Sequence, residues 1–133
     1  MDDVQVVRFQ KHVHNNGALC AYETGDKVPF VIKRVFTVNA QQGDVRGNHA
    51  HSECTQLLVC VSGAVEVFCD NGFSKRSFIL DDMNMGLIVP PLVWTKQEYK
   101  MRGSVLMVMC DGIYNAKEYI TDYQLFQRSV NVE

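Results

Sequence analysis

Along most of the chain apolar residues fall at every second position in short runs, the signature of strands with one buried face. The runs span Val4 to Phe9, Ala18 to Glu23, Phe30 to Asn39, Gly47 to His51, Gln56 to Val61, Ala64 to Cys69, Phe73 to Leu80, Gly86 to Val89, Trp94 to Tyr99 and Val105 to Cys110. Turn residues bound them at the spacing of an all-β sandwich or barrel. Asp70-Asn71-Gly72 is a tight-hairpin signal, since Asn and Gly accept the positive φ such turns require; Gly63 and Asp81-Asp82 mark two further reversals. Pro29, Pro90 and Pro91 sit at strand ends, where the missing N–H costs no ladder bond. The period changes only near the C-terminus. Tyr119, Tyr123 and Phe126 recur at i, i+4 and i+7, and Asn115 with Glu118 resembles a capping box, so one terminal helix is expected to pack on the barrel.

Length and composition fit that picture without enlarging it. A chain of 133 residues with 47% hydrophobic and 21% charged positions is ordinary for one globular domain, here residues 1–133. A net charge of -2 gives no basic field for phosphate backbones or anionic lipid, so neither nucleic acid nor membrane is an expected partner. The opening Met-Asp-Asp-Val-Gln lacks the features of a secretory signal, and no apolar run reaches the roughly 20 residues of a membrane helix; a cytoplasmic location is expected. Cys20, Cys54, Cys60, Cys69 and Cys110 are odd in number, scattered and free of any C-x-x-C, which predicts reduced, mostly buried thiols rather than a disulfide framework or a zinc site. Met83, Met85, Met101, Met107 and Met109 read as core filler.

Chemistry concentrates in Gly43-Asp44-Val45-Arg46-Gly47-Asn48-His49-Ala50-His51. Residues two apart on a strand share a face, so His49 and His51 project together. Imidazole exchanges protons near neutrality and is also a common transition-metal ligand, which leaves acid–base and metal chemistry both open at this point. His12 and His14 are likewise two apart but are expected to face solvent. Arg34 shares parity with Phe30, Ile32, Phe36 and Val38, so it points inward among apolar neighbours. A guanidinium cannot discard its charge there and needs an anion, either a protein carboxylate or a ligand phosphate.

The run from Gly43 to His49 and His51, with Gln56 and Gly63 following, is similar to the first motif of the cupin superfamily. Metal-binding cupins commonly carry Glu where Gln56 stands, and a further His where Pro90-Pro91-Leu92-Val93-Trp94-Thr95 places Thr95. With those two replacements only two good ligands remain, a donor set that favours a site working without a metal ion. Within the cupins, nearly the whole chain resembles the WxcM-like sugar 3,4-ketoisomerases. The likeness runs through Pro29-Phe30-Val31-Ile32-Lys33-Arg34-Val35, Arg46-Gly47 before the His pair, Gln56 to Gly63, Pro91-Leu92-Val93-Trp94 and Tyr119-Ile120-Thr121-Asp122-Tyr123.

That resemblance implies a single cupin β-barrel, or jelly roll, with a short C-terminal helix. It also implies a cofactor-free enzyme that moves a carbonyl from C4 to C3 of a dTDP-linked 4-keto-6-deoxyhexose, on the route to amino sugars of surface polysaccharide. His51 would take the C3 proton and return it at C4, with His49 orienting the sugar or handling protons on its oxygens; the reverse assignment is also compatible. Arg46 and Arg34 would hold the diphosphate or sugar, Gln56 and Thr95 would line the cavity, and Trp94 would either stack on the ligand or pack. A homodimer exchanging N-terminal strands is implied as well. The chain departs from the family at Asn16-Gly17, Phe36-Thr37, Asn48 and Thr95. A metal-dependent oxygenase and a non-catalytic sugar-nucleotide-binding barrel are the competing readings.

Overall fold

The alternating runs become twelve strands, two short helical elements and the loops between them in a computed structural model that describes residues 1–25 and 27–131. The strands are β1 (Gln5–Arg8), β2 (His12–His14), β3 (Gly17–Leu19), β4 (Arg34–Asn39), β5 (Val45–His51), β6 (Gln56–Ser62), β7 (Val65–Asp70), β8 (Lys75–Leu80), β9 (Met85–Val89), β10 (Trp94–Tyr99), β11 (Val105–Cys110) and β12 (Tyr119–Ile120). A 3₁₀ turn covers Ala116–Glu118, and helix α1 covers Tyr123–Val130. One five-stranded sheet runs β1-β9-β6-β11-β4, a second runs β12-β5-β10-β7-β8, and β2-β3 form a separate hairpin. Every pairing between these strands is antiparallel.

The two large sheets face each other across one apolar core, the barrel the alternation predicts. Inward residues of one sheet (Leu58, Cys60, Leu87, Val89, Leu106, Val108, Cys110) meet those of the other (Val65, Val67, Cys69, Phe78, Leu80, Tyr99). Strand β6 is buried on both faces along Gln56 to Cys60. Leu57 and Val59 point away from the barrel, where Phe9, Tyr22, Val28, Phe30 and Ile32 cover them. This cover corrects two expected strands. The run Ala18 to Glu23 is strand only through Leu19, and the run from Phe30 enters the ladder only at Arg34. The side chains of Tyr22, Phe30 and Ile32 gain more by lying across the outer face of the first sheet than by extending a ladder. Met101 departs from its expected core role and lies exposed in the turn between β10 and β11.

The Asp70-Asn71-Gly72 reversal is present, with Gly72 at φ 92°, as a four-residue link between β7 and β8 rather than the tightest form. Asn71 Oδ1 accepts from the backbone N–H groups of Phe73 and Ser74, closing the loop. The C-terminal segment needs a larger correction. Tyr119 is not helical: Asn115 caps only the 3₁₀ turn, and Tyr119 then pairs with His51 as a strand. The helix starts four residues later, where Asp122 Oδ1 accepts from Gln124 and Leu125 N–H, a side-chain N-cap. Phe126 is fully buried against the Trp94 and Tyr123 rings, so the expected helix-on-barrel packing holds. None of the described helices is long and apolar enough to cross a membrane.

Candidate active site

Strand β5 builds the site through a defect in its ladder. Gly47 and Asn48 adopt left-handed backbone, with φ 91° and 59°, and the register against β10 slips there: Arg46 pairs with Gln97 and Gly47 with Lys96, but His49 pairs with Thr95. Asn48 is the extra residue of a β-bulge. In a regular strand Arg46 and His49, three apart, face opposite sides. The bulge brings Arg46, His49 and His51 onto one wall of a cavity of about 200 Å³ inside the barrel. Arg34, Phe36, Gln56, Gln97, Tyr99 and Tyr119 complete much of that wall.

The two imidazoles stand edge to face, ring centres 5.1 Å apart, and the Tyr119 ring lies 4.4 Å from His51 and 5.2 Å from His49. Their surroundings differ. His51 is buried, and its Nδ1 is hydrogen-bonded to Glu118 Oε2. The other carboxylate oxygen, Glu118 Oε1, accepts from the backbone N–H of Cys54 at 3.0 Å and of Glu53 at 3.3 Å. Burial alone raises the Glu118 carboxyl, but the bonds from His51 and from these two N–H groups outweigh it and hold the group below its ordinary value. The outward nitrogen of His51, Nε2, is buried without a partner among the described residues. In the neutral ring a carboxylate on Nδ1 holds the single proton there, and Nε2 then presents a lone pair to the cavity. His49 is shifted downward, first by burial and then by the neighbouring His51, which favours its neutral form.

Toward the mouth, Arg34 points inward as its parity predicts. Its guanidinium lies over Phe36 at 4.6 Å and over Tyr114 at 5.1 Å, and a hydrogen bond to Tyr119 raises its already high pKa. Among the described residues no carboxylate pairs with it. The protein carboxylate that the sequence left open as its anion is therefore not supplied by an ion pair. Arg46 is exposed at the same mouth.

The remaining candidates separate. Gln56 lines the cavity, and its amide nitrogen lies 3.7 Å from the Cys110 sulfur. Thr95 is buried opposite His49, with its hydroxyl accepting from Gln97 Nε2 at 3.0 Å. Trp94 does not reach the cavity: it faces the other side of its sheet and packs on Tyr123 and Phe126 of α1. His12 and His14 lie exposed on β2, away from the pair. Glu118 went unnoticed as a functional group because the residues around it read as a helix cap. Nothing local links it to His51, 67 positions away.

These contacts decide whether the inner residues can serve as the ligand set of a metal-binding cupin. The amide of Gln56 and the hydroxyl of Thr95 are poor replacements for carboxylate and imidazole, and the Thr95 hydroxyl is occupied by Gln97, so the inner quartet does not fit a resident metal.

Fold and site together define a small double-sheet barrel with two histidines paired on its cavity wall. The family model described as "FdtA: WxcM-like, C-terminal" matches residues 2–131, and the chain belongs to this family. It is 34% identical over 127 residues, 95% of this chain and 91% of its relative, to a TDP-4-oxo-6-deoxy-alpha-D-glucose-3,4-oxoisomerase of Aneurinibacillus thermoaerophilus. Its fold matches a 3,4-ketoisomerase from Helicobacter canadensis with TM-score 0.93 and 34% identity, covering 98% of both chains. It matches QdtA, a sugar 3,4-ketoisomerase from Thermoanaerobacterium thermosaccharolyticum in complex with TDP, with TM-score 0.93 and 27% identity over 98% of this chain and 96% of that one.

Proposed function

We propose that the chain is a cofactor-independent 3,4-ketoisomerase acting on a TDP-linked 4-keto-6-deoxyhexose. The observation that carries this reading is His51: Nδ1 tied to Glu118, Nε2 buried, unpartnered and facing the cavity. A base so held takes the proton from C3, alpha to the ketone, while the C3–H electron pair shifts into the ring and the C4 oxygen gains a proton, giving an enediol. Loss of the proton from the C3 oxygen and delivery of one to C4 complete the exchange, with no net change in redox state. His51 performs the carbon steps, and His49, neutral beside it, orients the sugar and relays protons between the oxygens. Glu118 is a positioning residue that sets the His51 tautomer and steadies the imidazolium when it forms.

A cavity of about 200 Å³ is smaller than the roughly 300–1,000 Å³ of pockets for drug-sized ligands, so it takes the sugar ring and leaves the nucleotide at the mouth. There Arg34 and Arg46 offer charged donors to the diphosphate. Gln56 shapes the wall around the sugar, and Thr95, outside the lining itself, holds the lining residue Gln97. The same reading sets the reaction in the cytoplasm, ahead of an amination step in amino-sugar synthesis for surface polysaccharide. It also carries a homodimer: the β2–β3 hairpin is exposed throughout, with Val13 and Leu19 uncovered, and a second copy is the cover it favours.

Incubation with TDP-4-keto-6-deoxyglucose in deuterated water tests the proposal. NMR is expected to show deuterium replacing the C3 proton of the 4-keto sugar and a 3-keto product carrying deuterium at C4. Tight TDP binding without exchange at ample protein overturns it in favour of a non-catalytic binding module.

A further inference from the structure

Behind His51, on the side away from the sugar, its pair with Glu118 is joined by a thiol that isomerisation does not use. One ligand atom each from His51, Cys54 and Glu118 lies within 4.8 Å of the other two. The Cys54 thiol has no task in the proton transfer; it donates to the carbonyl of the adjacent Thr55 and lies beside the Cys110 thiol and the Asp111 carboxylate. Cys54 and Glu118 also line an open cleft of about 480 Å³ on the outer surface, where Glu53, Asp111 and Glu118 outnumber Lys33. Cys54 and Glu118 are thus reachable from the rear by a small cation, through an acidic approach and without passing the sugar cavity, and Glu118 leads from there to His51.

We propose that this rear site binds zinc through His51 Nδ1, Cys54 Sγ and Glu118, and that the bound ion switches the base off. One imidazole, one thiolate and one carboxylate make a mixed set that suits zinc and suits the oxygen-seeking magnesium or calcium poorly. Zinc bonds of about 2.0–2.3 Å in a tetrahedron set ligand atoms about 3.5 Å apart, so modest side-chain rotations close the site, with water from the cleft in the fourth position. The consequence follows from counting protons. Zinc takes the Nδ1 lone pair, the one proton of the neutral ring then resides on Nε2, and the Cys54 thiol proton leaves to solvent. With Nε2 protonated, no lone pair faces the C3–H bond. The inhibition rests on the isomerase reading; the binding does not.

Cobalt(II), the spectroscopic substitute for zinc, is titrated into the chelator-treated protein. One equivalent is expected to produce a near-ultraviolet thiolate-to-cobalt band and the visible bands of a tetrahedral site. The Cys54→Ser protein is expected to lose the thiolate band, and Cys20→Ser to retain it. In parallel, zinc is expected to suppress deuterium exchange into the keto-sugar, EDTA to restore it, and Cys54→Ser to need at least about tenfold more zinc for half-suppression of its own metal-free rate. A missing thiolate band, or one that survives Cys54→Ser, overturns the site. A Cys54-dependent band with full exchange at saturating zinc upholds binding and overturns the switch. A Cys54-dependent band in a protein that shows no exchange even when free of metal upholds the site and overturns the isomerase reading instead.

Discussion

The two ends of the sugar cavity are built on opposite terms. At the deep end the protein already engages several polar groups: His51 by Glu118, Glu118 by two backbone N–H groups, and Thr95 by Gln97. Among the described residues His51 Nε2 is buried there without a partner, and it is the atom to which the proposal gives the proton transfer. At the mouth Arg34 and Arg46 form no ion pair among the described residues, and Arg34 leans on aromatic faces and a tyrosine hydroxyl instead. The deep end is preorganised for reaction, so little reorganisation remains when substrate arrives. The mouth keeps its two guanidinium charges without a protein carboxylate, which leaves their donors open to an anionic ligand.

Substitutions that separate these two ends sharpen the contrast. The largest effect is expected from His51→Asn, which keeps a polar side chain but removes the base: deuterium exchange should fall by about 10²–10⁴-fold, the usual contribution of general-base catalysis, while TDP affinity by calorimetry stays within about twofold. Glu118→Gln should lower kcat by about 10- to 100-fold, as when the outer partner of a functional imidazole is lost, with KM little changed. An amide nitrogen facing Nδ1 favours the tautomer with the proton on Nε2, so the base is present but wrongly protonated. Arg34→Met reverses the pattern. Removing one charge-assisted contact of about 1.5–3 kcal/mol should weaken TDP binding by about 10- to 100-fold, with a smaller effect on kcat. Equal losses of kcat and TDP affinity in all three proteins would break the division.

The barrel was legible because a period of two is a local property, and β10 and β11 have the bounds the alternation predicts. The histidine pair was legible for the same reason. Parity also placed Arg34 correctly, since β4 is regular. It misplaces Arg46 relative to His49, because the bulge depends on how β5 meets β10, and only the Gly47-Asn48 pair hints at it. Resemblance put Arg46 in the site where periodicity does not. The helix boundary failed through coincidence: Tyr119, Tyr123 and Phe126 are spaced for a helix, yet Tyr119 belongs to a strand fixed by β5. The cap was one signal further along, at Asp122. Glu118 depends on that same long-range pairing, so its partnership with His51 has no local trace.

The bulge joins the two ends of the cavity, and Gly47→Ala probes it with the smallest expected effect. A Cβ at Gly47 would lie 2.6 Å from Gln97 Oε1, on a backbone with φ +91° that L side chains rarely adopt. The left-handed conformation alone costs a non-glycine residue about 1–2 kcal/mol. Gln97 can yield, being a side chain, but in moving it strains its bond to Thr95 and its place beside Arg46. Denaturant unfolding should therefore show a loss of about 1–2 kcal/mol. TDP affinity should drop more than kcat, because Arg46 precedes the bulge while His49 and His51 follow it, the latter anchored independently by Glu118. Equal loss of both parameters would mean that the bulge sets the histidines as much as the arginine, and that the two ends of the cavity are not separately built.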